Sequence, residues 1–270
     1  MENIKESSQD FSNWNVLTEQ WLQGMSLNGE AKFYSPIQAL KKACSIHSIT
    51  FSSPLDFFST HRFLLTLLYW KAGVVGGIKK LSDSLLRKEI PKELIEEIQK
   101  ETNHFNLFDK DNPFLQDLSV KKKDLKSVGA LFAEMASGTN IAHFHHGNDK
   151  EMEFCLKCTT LGMLRVVPWT QSGGSGLTPS VHGAPPIMAI AIDRNLAETL
   201  KLNLVPLKEA PGTMKWSGLF KPVDKETQIP YLVAFSWNPR RVLLPPPESI
   251  KVCWNCGQKK VAGVGQIYRQ

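Results

Sequence analysis

EFCLKCTT (residues 153–160) and KVCWNCGQ (residues 251–258) place two cysteines three positions apart, twice, in a chain that holds five. Cys155 and Cys158 form one pair, and Cys253 and Cys256 the other. Two thiolates at i and i+3 in a tight knuckle can share one Zn²⁺, and two knuckles complete a tetrahedron of sulfur. The second knuckle runs into Gly257, which suits the tight turn such a knuckle needs. Two other readings stand beside this one: a redox CxxC, which needs a single pair at a strand-to-helix junction, and buried thiols that share the spacing by chance. One shared metal accounts for both pairs at once. The long insert is no obstacle, because loop-closure cost grows only with the logarithm of length. Four cysteines leave no ligand position open, so the expected Zn²⁺ is structural and pins two distant segments together.

Outward from the knuckles, the chain has 270 residues, a net charge of +6 and a pI near 9.0. It is 42% hydrophobic with seven tryptophans, enough for one large core. The charge suits a polyanionic partner without requiring one. The N-terminal MENIKESSQDFSNW (1–14) is polar and acidic, unlike a signal peptide. The longest apolar run, FLLTLLYWKAGVVGG (63–77), is too short and interrupted to span a bilayer. The expectation is a cytoplasmic, reducing compartment with no membrane partner, where paired cysteines bind metal or do redox work more often than they form disulfides.

The segments between are mixed. NVLTEQWLQGMSLNGEAKFYSP (15–36) reads as strand, turn, strand. In SSPLDFFSTHRFLLTLLYWKAG (52–73), Ser53 is the expected N-cap, Pro54 the first helical residue and Gly73 the end of a buried helix. IPKELIEEIQKETNHF (90–105) opens with Pro91 and sets Leu94, Ile95 and Ile98 on one face of a surface helix. FDKDNPFLQD (108–117) is a turn around Pro113 that packs Phe114 and Leu115 inward. KKKDLKSVGALFAEMAS (121–137) predicts a basic entry and a short helix. TQSGGSGLTPSVHGAPP (170–186) is loop. IMAIAI (187–192) predicts a buried strand, DRNLAETLKL (193–202) a helix capped by Asp193, and YLVAFSWNP (231–239) a strand. LLPPPESI (243–250) breaks the chain before the second knuckle. The class is α+β: one irregular, mixed domain over residues 1–270, stapled by a pair of zinc knuckles with four cysteines between them.

His143, His145 and His146 crowd around Phe144 in GTNIAHFHHGNDK (138–150). They read either as a polar loop with aromatic tips or as a nucleic-acid contact, since imidazole and Phe can stack on bases or reach phosphate. A metal-dependent hydrolase stapled by zinc and using these three histidines is the alternative from a different class. No HExxH and no nearby nucleophile accompanies them, and no paired carboxylates form an acid/base frame, so the chain is not expected to be an enzyme. Gly173, Gly174 and Gly176 match neither a P-loop nor a dinucleotide fingerprint. They read as a linker, or as backbone that can approach a ligand closely. Lys121, Lys122, Lys123, Lys126, Arg240, Arg241, Lys259, Lys260 and Arg269 are surface charges that could neutralise phosphates.

The order of these pieces carries a resemblance. NVLTEQWL (15–22), NPFLQ (112–116), SGTNIAHFHHG (137–147), CLKCTTLGM (155–163), the glycine-rich loop running into GAPP (183–186) and AIDRNL (191–196), FSWNPRRV (235–242) and CWNCGQ (253–258) together resemble the large subunit of type I-E CRISPR Cascade complexes, CasA. The resemblance covers roughly residues 13 to 262 and implies a non-catalytic subunit. Such a subunit docks at the 5′ handle of the guide RNA and inspects double-stranded target DNA for its protospacer-adjacent motif, alongside other Cascade subunits. It implies that the loop with Asn140, His143, Phe144, His145 and His146 sits at the RNA handle near the motif-bearing duplex. It also implies that Gly173, Gly174 and Gly176 enter the minor groove, although the family's longer Gly-Gly-Gly run is not matched. A basic finger after the second knuckle is implied as well, with Lys259, Lys260 and Arg269 as candidates. The family's wedge hairpin and C-terminal four-helix bundle would lie beyond Gln270 and have no counterpart in this chain. A naturally shortened large subunit, or one cut after its N-terminal domain, fits that pattern. If it is naturally shortened, another subunit would have to supply strand separation and recruit a helicase-nuclease, or carry a fused nuclease itself.

Overall fold

The computed structural model describes residues 12–86, 89–123, 125–132, 152–170, 187–205, 212, 214, 216 and 229–269. In chain order these form strands β1 (Leu22–Ser26) and β2 (Ala31–Tyr34), helix α1 (Pro36–Lys41), strand β3 (Ile46–Ile49) and helices α2 (Pro54–Lys71), α3 (Ile78–Leu86) and α4 (Lys92–Lys100). Strands β4 (Leu125–Ser127) and β5 (Phe154–Cys155) follow, then helices α5 (Leu156–Trp169), α6 (Leu196–Leu202) and α7 (Tyr231–Phe235). The chain closes with strands β6 (Val242–Leu243), β7 (Glu248–Val252), β8 (Lys259–Val264) and β9 (Gln266–Arg269). The strands make three small antiparallel sheets, ordered β2-β1-β3, β4-β9-β6 and β5-β8-β7. This is the mixed α+β arrangement that the sequence predicts.

Helix α2 is the centre of the core. The Ser53 hydroxyl accepts from the Leu55 N–H and Pro54 occupies the first turn, as expected. Its residues are buried on nearly every side, so it lacks the polar face of a surface helix. Phe63 on α2 meets Trp21, Phe105, Phe114 and Trp216 at ring separations of 5.8–6.3 Å. The inward turn at Pro113 supplies Phe114 and Leu115 to the core, and α4 buries Leu94, Ile95 and Ile98, both as the sequence predicts.

Helix α5 packs along α2. Arg165 on α5 and Asp56 on α2 form an ion pair at 2.5 Å, with both side chains almost wholly buried. Trp169 Nε1 donates to Ser59 Oγ at 3.1 Å, and Trp14 Nε1 donates to Thr160 Oγ1 at 2.9 Å. These contacts fix the helix whose N-terminus carries the first cysteine pair.

Four local expectations are corrected. The lysine-rich 121–123 stretch leads first into β4, which pairs with β9, and then, among the described residues, into a 3-10 turn at Val128–Leu131, while 133–137 lie outside the described residues. The apolar run at 187–192 is no strand: Ile187 is 94% exposed. The Asn203 side chain, rather than a neighbouring strand, satisfies the Ala191 N–H and C=O, at 3.0 and 2.7 Å. Helix α6 is capped by Asn195, whose Oδ1 accepts from the Glu198 N–H at 3.0 Å, while Asp193 Oδ1 accepts from the Arg194 N–H. Residues 231–235 form α7 in place of a strand. Pro230 sets its entry, and Tyr231 and Phe235, one turn apart, both meet the Tyr69 ring on α2.

His61 gives this core a pH dependence. It is buried on α2, its Nδ1–H donates to the Phe57 carbonyl at 2.7 Å, and burial holds its pKa down to about 4. Above pH ~6.5 the ring is neutral in both the folded and unfolded chain. As pH falls below that value, the unfolded chain takes up a proton that the folded chain refuses until about pH 4. Stability therefore falls across this window, by up to roughly 3 kcal/mol. Denaturant titrations across the window should show a shallower loss for His61→Gln; an unchanged slope would rule out this source.

Candidate metal centre

Residues Phe154 and Cys155 end a short strand and become the entry to α5, with Cys155 at the N-cap and Cys158 in the first turn. Residues 253–258 form the loop of the β7–β8 hairpin. Antiparallel pairing of β5 with β8, Phe154 opposite Val264 and Cys155 opposite Gly263, brings the two segments together. Gly263 permits the approach: a Cβ there would lie 2.4 Å from the Phe154 carbonyl oxygen. Within the hairpin loop, the Gly257 N–H donates to the Cys253 carbonyl at 2.8 Å, and the Cys253 N–H donates to the Gln258 carbonyl at 2.7 Å. Gly257 takes φ +73°, the left-handed turn expected of it. The Trp254 N–H donates to the Glu153 carbonyl at 2.8 Å, joining the two cysteine segments through their backbones.

The result is a cluster in which the Sγ atoms of Cys155, Cys158, Cys253 and Cys256 all lie within 4.8 Å of one another. Cys155 and Cys256, from different knuckles, have sulfurs 3.6 Å apart. A tetrahedral zinc site with Zn–S bonds of about 2.3 Å has S···S edges of about 3.8 Å. The donor set therefore fits one metal ion held by four sulfurs. Cys44, half-buried in the 43–45 turn, is not part of the cluster.

Three of the cysteines are buried, and Cys256 is exposed. The Cys158 thiol is pushed up by its hydrogen bonds with Cys155 and Cys253 and by burial. The Cys253 thiol is pulled down by the hydrogen bonds it shares with Cys155 and Cys158. A bound dication takes the place of the thiol protons, so metal binding releases them. The positive end of the α5 dipole faces Cys155 and Cys158 and favours their thiolates.

The basic candidates divide. Lys121, Lys122, Lys123 and Lys126 are exposed, as are Lys259 and Lys260 at the start of β8. Arg240 is buried and donates to the Pro239 carbonyl at 2.8 Å, so it belongs to the interior. Arg241 faces Asp117 at 3.7 Å. Arg269 donates to the Ala130 carbonyl, and burial together with the nearby Arg240 charge lowers its guanidinium. Asn140, His143, Phe144, His145 and His146, with Gly173, Gly174 and Gly176, lie outside the described residues. Sequence reasoning missed Gly263 and Asn255 at the centre. A glycine inside the strand pattern VAGV is a signal of close backbone approach. Asn255 has a weaker signal, as a polar residue held between two cysteines. Among the described residues, no helix is long and apolar enough to cross a membrane.

A mixed α+β domain whose strand-to-helix junction and hairpin close on four cysteines defines a cysteine-stapled scaffold. The family pattern of CRISPR-associated protein Cse1 matches residues 15–264, and the chain belongs to that family. The resemblance to CasA is thereby borne out. CRISPR-associated protein CasA/Cse1 of Thermus thermophilus is 26% identical over 210 residues, covering 75% of this chain and 42% of that protein. The fold is similar to that of Thermobifida fusca Cse1, with TM-score 0.73 and 19% identity over 96% of this chain and 52% of that one. It is also similar to a chain of a CRISPR RNA-guided surveillance complex in its pre-nicking state, with TM-score 0.73 and 15% identity over 96% and 55%. The chain thus spans about half the length of these relatives.

Proposed function

We propose that this chain is a non-catalytic large subunit of a CRISPR Cascade surveillance complex. It docks at the 5′ handle of the guide RNA and reads the protospacer-adjacent motif of target DNA. The family match over residues 15–264 carries the reading. Other Cascade subunits hold the guide, and a helicase-nuclease or a nuclease-fused subunit cuts. The division of labour is physically sensible: base pairing to the guide reads sequence, while the protein reads a short duplex signal and backbone shape. One structural Zn²⁺ on Cys155, Cys158, Cys253 and Cys256 holds the α5 N-terminus against the β7–β8 hairpin. It performs no chemistry on substrate, since four sulfurs leave no open position.

In this reading the loop bearing Asn140, His143, Phe144, His145 and His146 contacts the RNA handle and the motif-bearing duplex. Backbone at Gly173, Gly174 and Gly176 enters the minor groove, where a side chain would strike the groove wall. Gly174→Val in a reconstituted complex is expected to abolish most discrimination between targets with and without the flanking motif, leaving guide pairing intact. If Lys259 and Lys260 touch only phosphate, Lys259→Ala with Lys260→Ala should weaken all sequences alike, with the salt slope reduced by about one unit per lost contact; if one of them is the basic finger, the loss should instead depend on the motif. A Gly174→Val complex that still discriminates normally would reduce the stretch to a linker. Unchanged assembly and target affinity for His143→Ala with Phe144→Ala would remove the histidine loop from the interface.

A further inference from the structure

The Asn255 side chain lies in the second knuckle, between Cys253 and Cys256, yet its Nδ2 donates to Cys158 Sγ in the first knuckle at 3.4 Å. Cys158 is 3% exposed, so water cannot readily supply that hydrogen bond. The other sulfurs are provided for differently. Cys256 is exposed, so water can reach its sulfur. The Cys158 N–H hydrogen-bonds the Cys155 sulfur, and the Cys155 and Cys256 N–H groups hydrogen-bond the Cys253 sulfur. Four thiolates around a dication carry a net charge of minus two, and each buried sulfur needs an N–H donor to tolerate it.

We infer that Asn255 is a positioning residue of the metal centre: its amide stabilises the Cys158 thiolate across the gap between the knuckles. The inference rests on the zinc reading above. Because the donor and the sulfur come from segments about a hundred residues apart, the contact exists only when both knuckles are in place. Asn255 therefore couples closure of the 253–258 loop to the α5 N-terminus, as well as tuning the ligand. The amide also orients Cys158 Sγ toward the other three sulfurs. An acceptor-only side chain of the same shape cannot do either.

The test uses the full chain and measures Zn²⁺ affinity by competition with a chromophoric chelator. In parallel, the sulfur-to-metal charge-transfer band is recorded after loading with Co²⁺. Asn255→Ala should weaken zinc binding about 10- to 100-fold, the range for loss of a partner outside the ligand shell. Asn255→Asp, isosteric but lacking the donor and adding negative charge, should weaken it at least as much. In both variants the charge-transfer band should move to lower energy, because a thiolate without its N–H donor gives up electron density more readily. A purely structural role for Asn255 would not produce that shift in the near-isosteric Asp variant. Lys251→Ala, an exposed change on β7, should match the parent in both measurements. Affinities within about twofold of the parent and an unmoved band for Asn255→Asp would overturn the inference while leaving the zinc centre standing. A parent chain that takes up neither Zn²⁺ nor Co²⁺ would overturn the zinc reading itself.

Discussion

Cys253→Ser is expected to lower the thermal midpoint by roughly 10 °C or more and to leave the purified chain with less than one Zn²⁺ per molecule. Metal binding and folding are coupled, with structural zinc contributing about 10–16 kcal/mol of apparent binding free energy in small peptides. Losing one of four thiolates removes a part of that, and ~3–5 kcal/mol is enough for a shift of this size in a chain of this length. The loss should be local at first. Besides the metal, the hairpin loop is held against α5 by the two β5–β8 residue pairs, the Trp254 N–H bond to the Glu153 carbonyl and the Asn255 amide on Cys158. Cys44→Ser, outside the cluster, should leave the zinc content unchanged. Zinc analysis and thermal denaturation of both variants check this. A parent chain without zinc, or a Cys253→Ser chain as stable as the parent, would contradict it.

Asp56→Asn should cost about 3–5 kcal/mol, because it removes the carboxylate charge that faces the buried Arg165 guanidinium. Arg165 also sits over the Phe132 ring at 4.5 Å, a contact too weak to compensate for the carboxylate. The pair ties α2 to α5, so its loss loosens the helix that presents Cys155 and Cys158. Asp56→Leu with Arg165→Met removes both charges together and should cost much less than the two single changes added. A denaturant-based double-mutant cycle measures this coupling. Single variants that each lose less than about 1 kcal/mol would show that the pair does not hold the helices together.

The parts of this fold legible in the sequence are those whose signals are local and redundant. Helix α2 announces itself through Ser53, Pro54 and an unbroken apolar body, and α4 through Pro91 and the spacing of Leu94, Ile95 and Ile98. The four cysteines are legible because their chemistry demands fixed spacing. What failed were short apolar stretches, where periodicity cannot separate strand from helix. Residues 231–235 hold β-favouring side chains, but Tyr231 and Phe235 need the one-turn spacing of a helix to reach Tyr69. Residues 187–192 look buried in the sequence, yet Ile187 is exposed and the Ala191 backbone is met by the Asn203 side chain, supplied from beyond α6. The Asn255 contact could not be read either, since it depends on β5 and β8 pairing across about a hundred residues.

The central proposal, that this chain gives a guide RNA complex its reading of target DNA, is tested most directly by a reconstitution. The remaining Cascade subunits and guide RNA are assembled with and without the full chain, then titrated with two duplexes that differ only in the base pairs flanking the guide-matched sequence. The account predicts that adding the chain tightens binding to the motif-bearing duplex by about tenfold or more over the other, while both duplexes remain equally complementary to the guide. Equal binding to the two duplexes with the chain present, or a chain that does not join the complex at all, would contradict it.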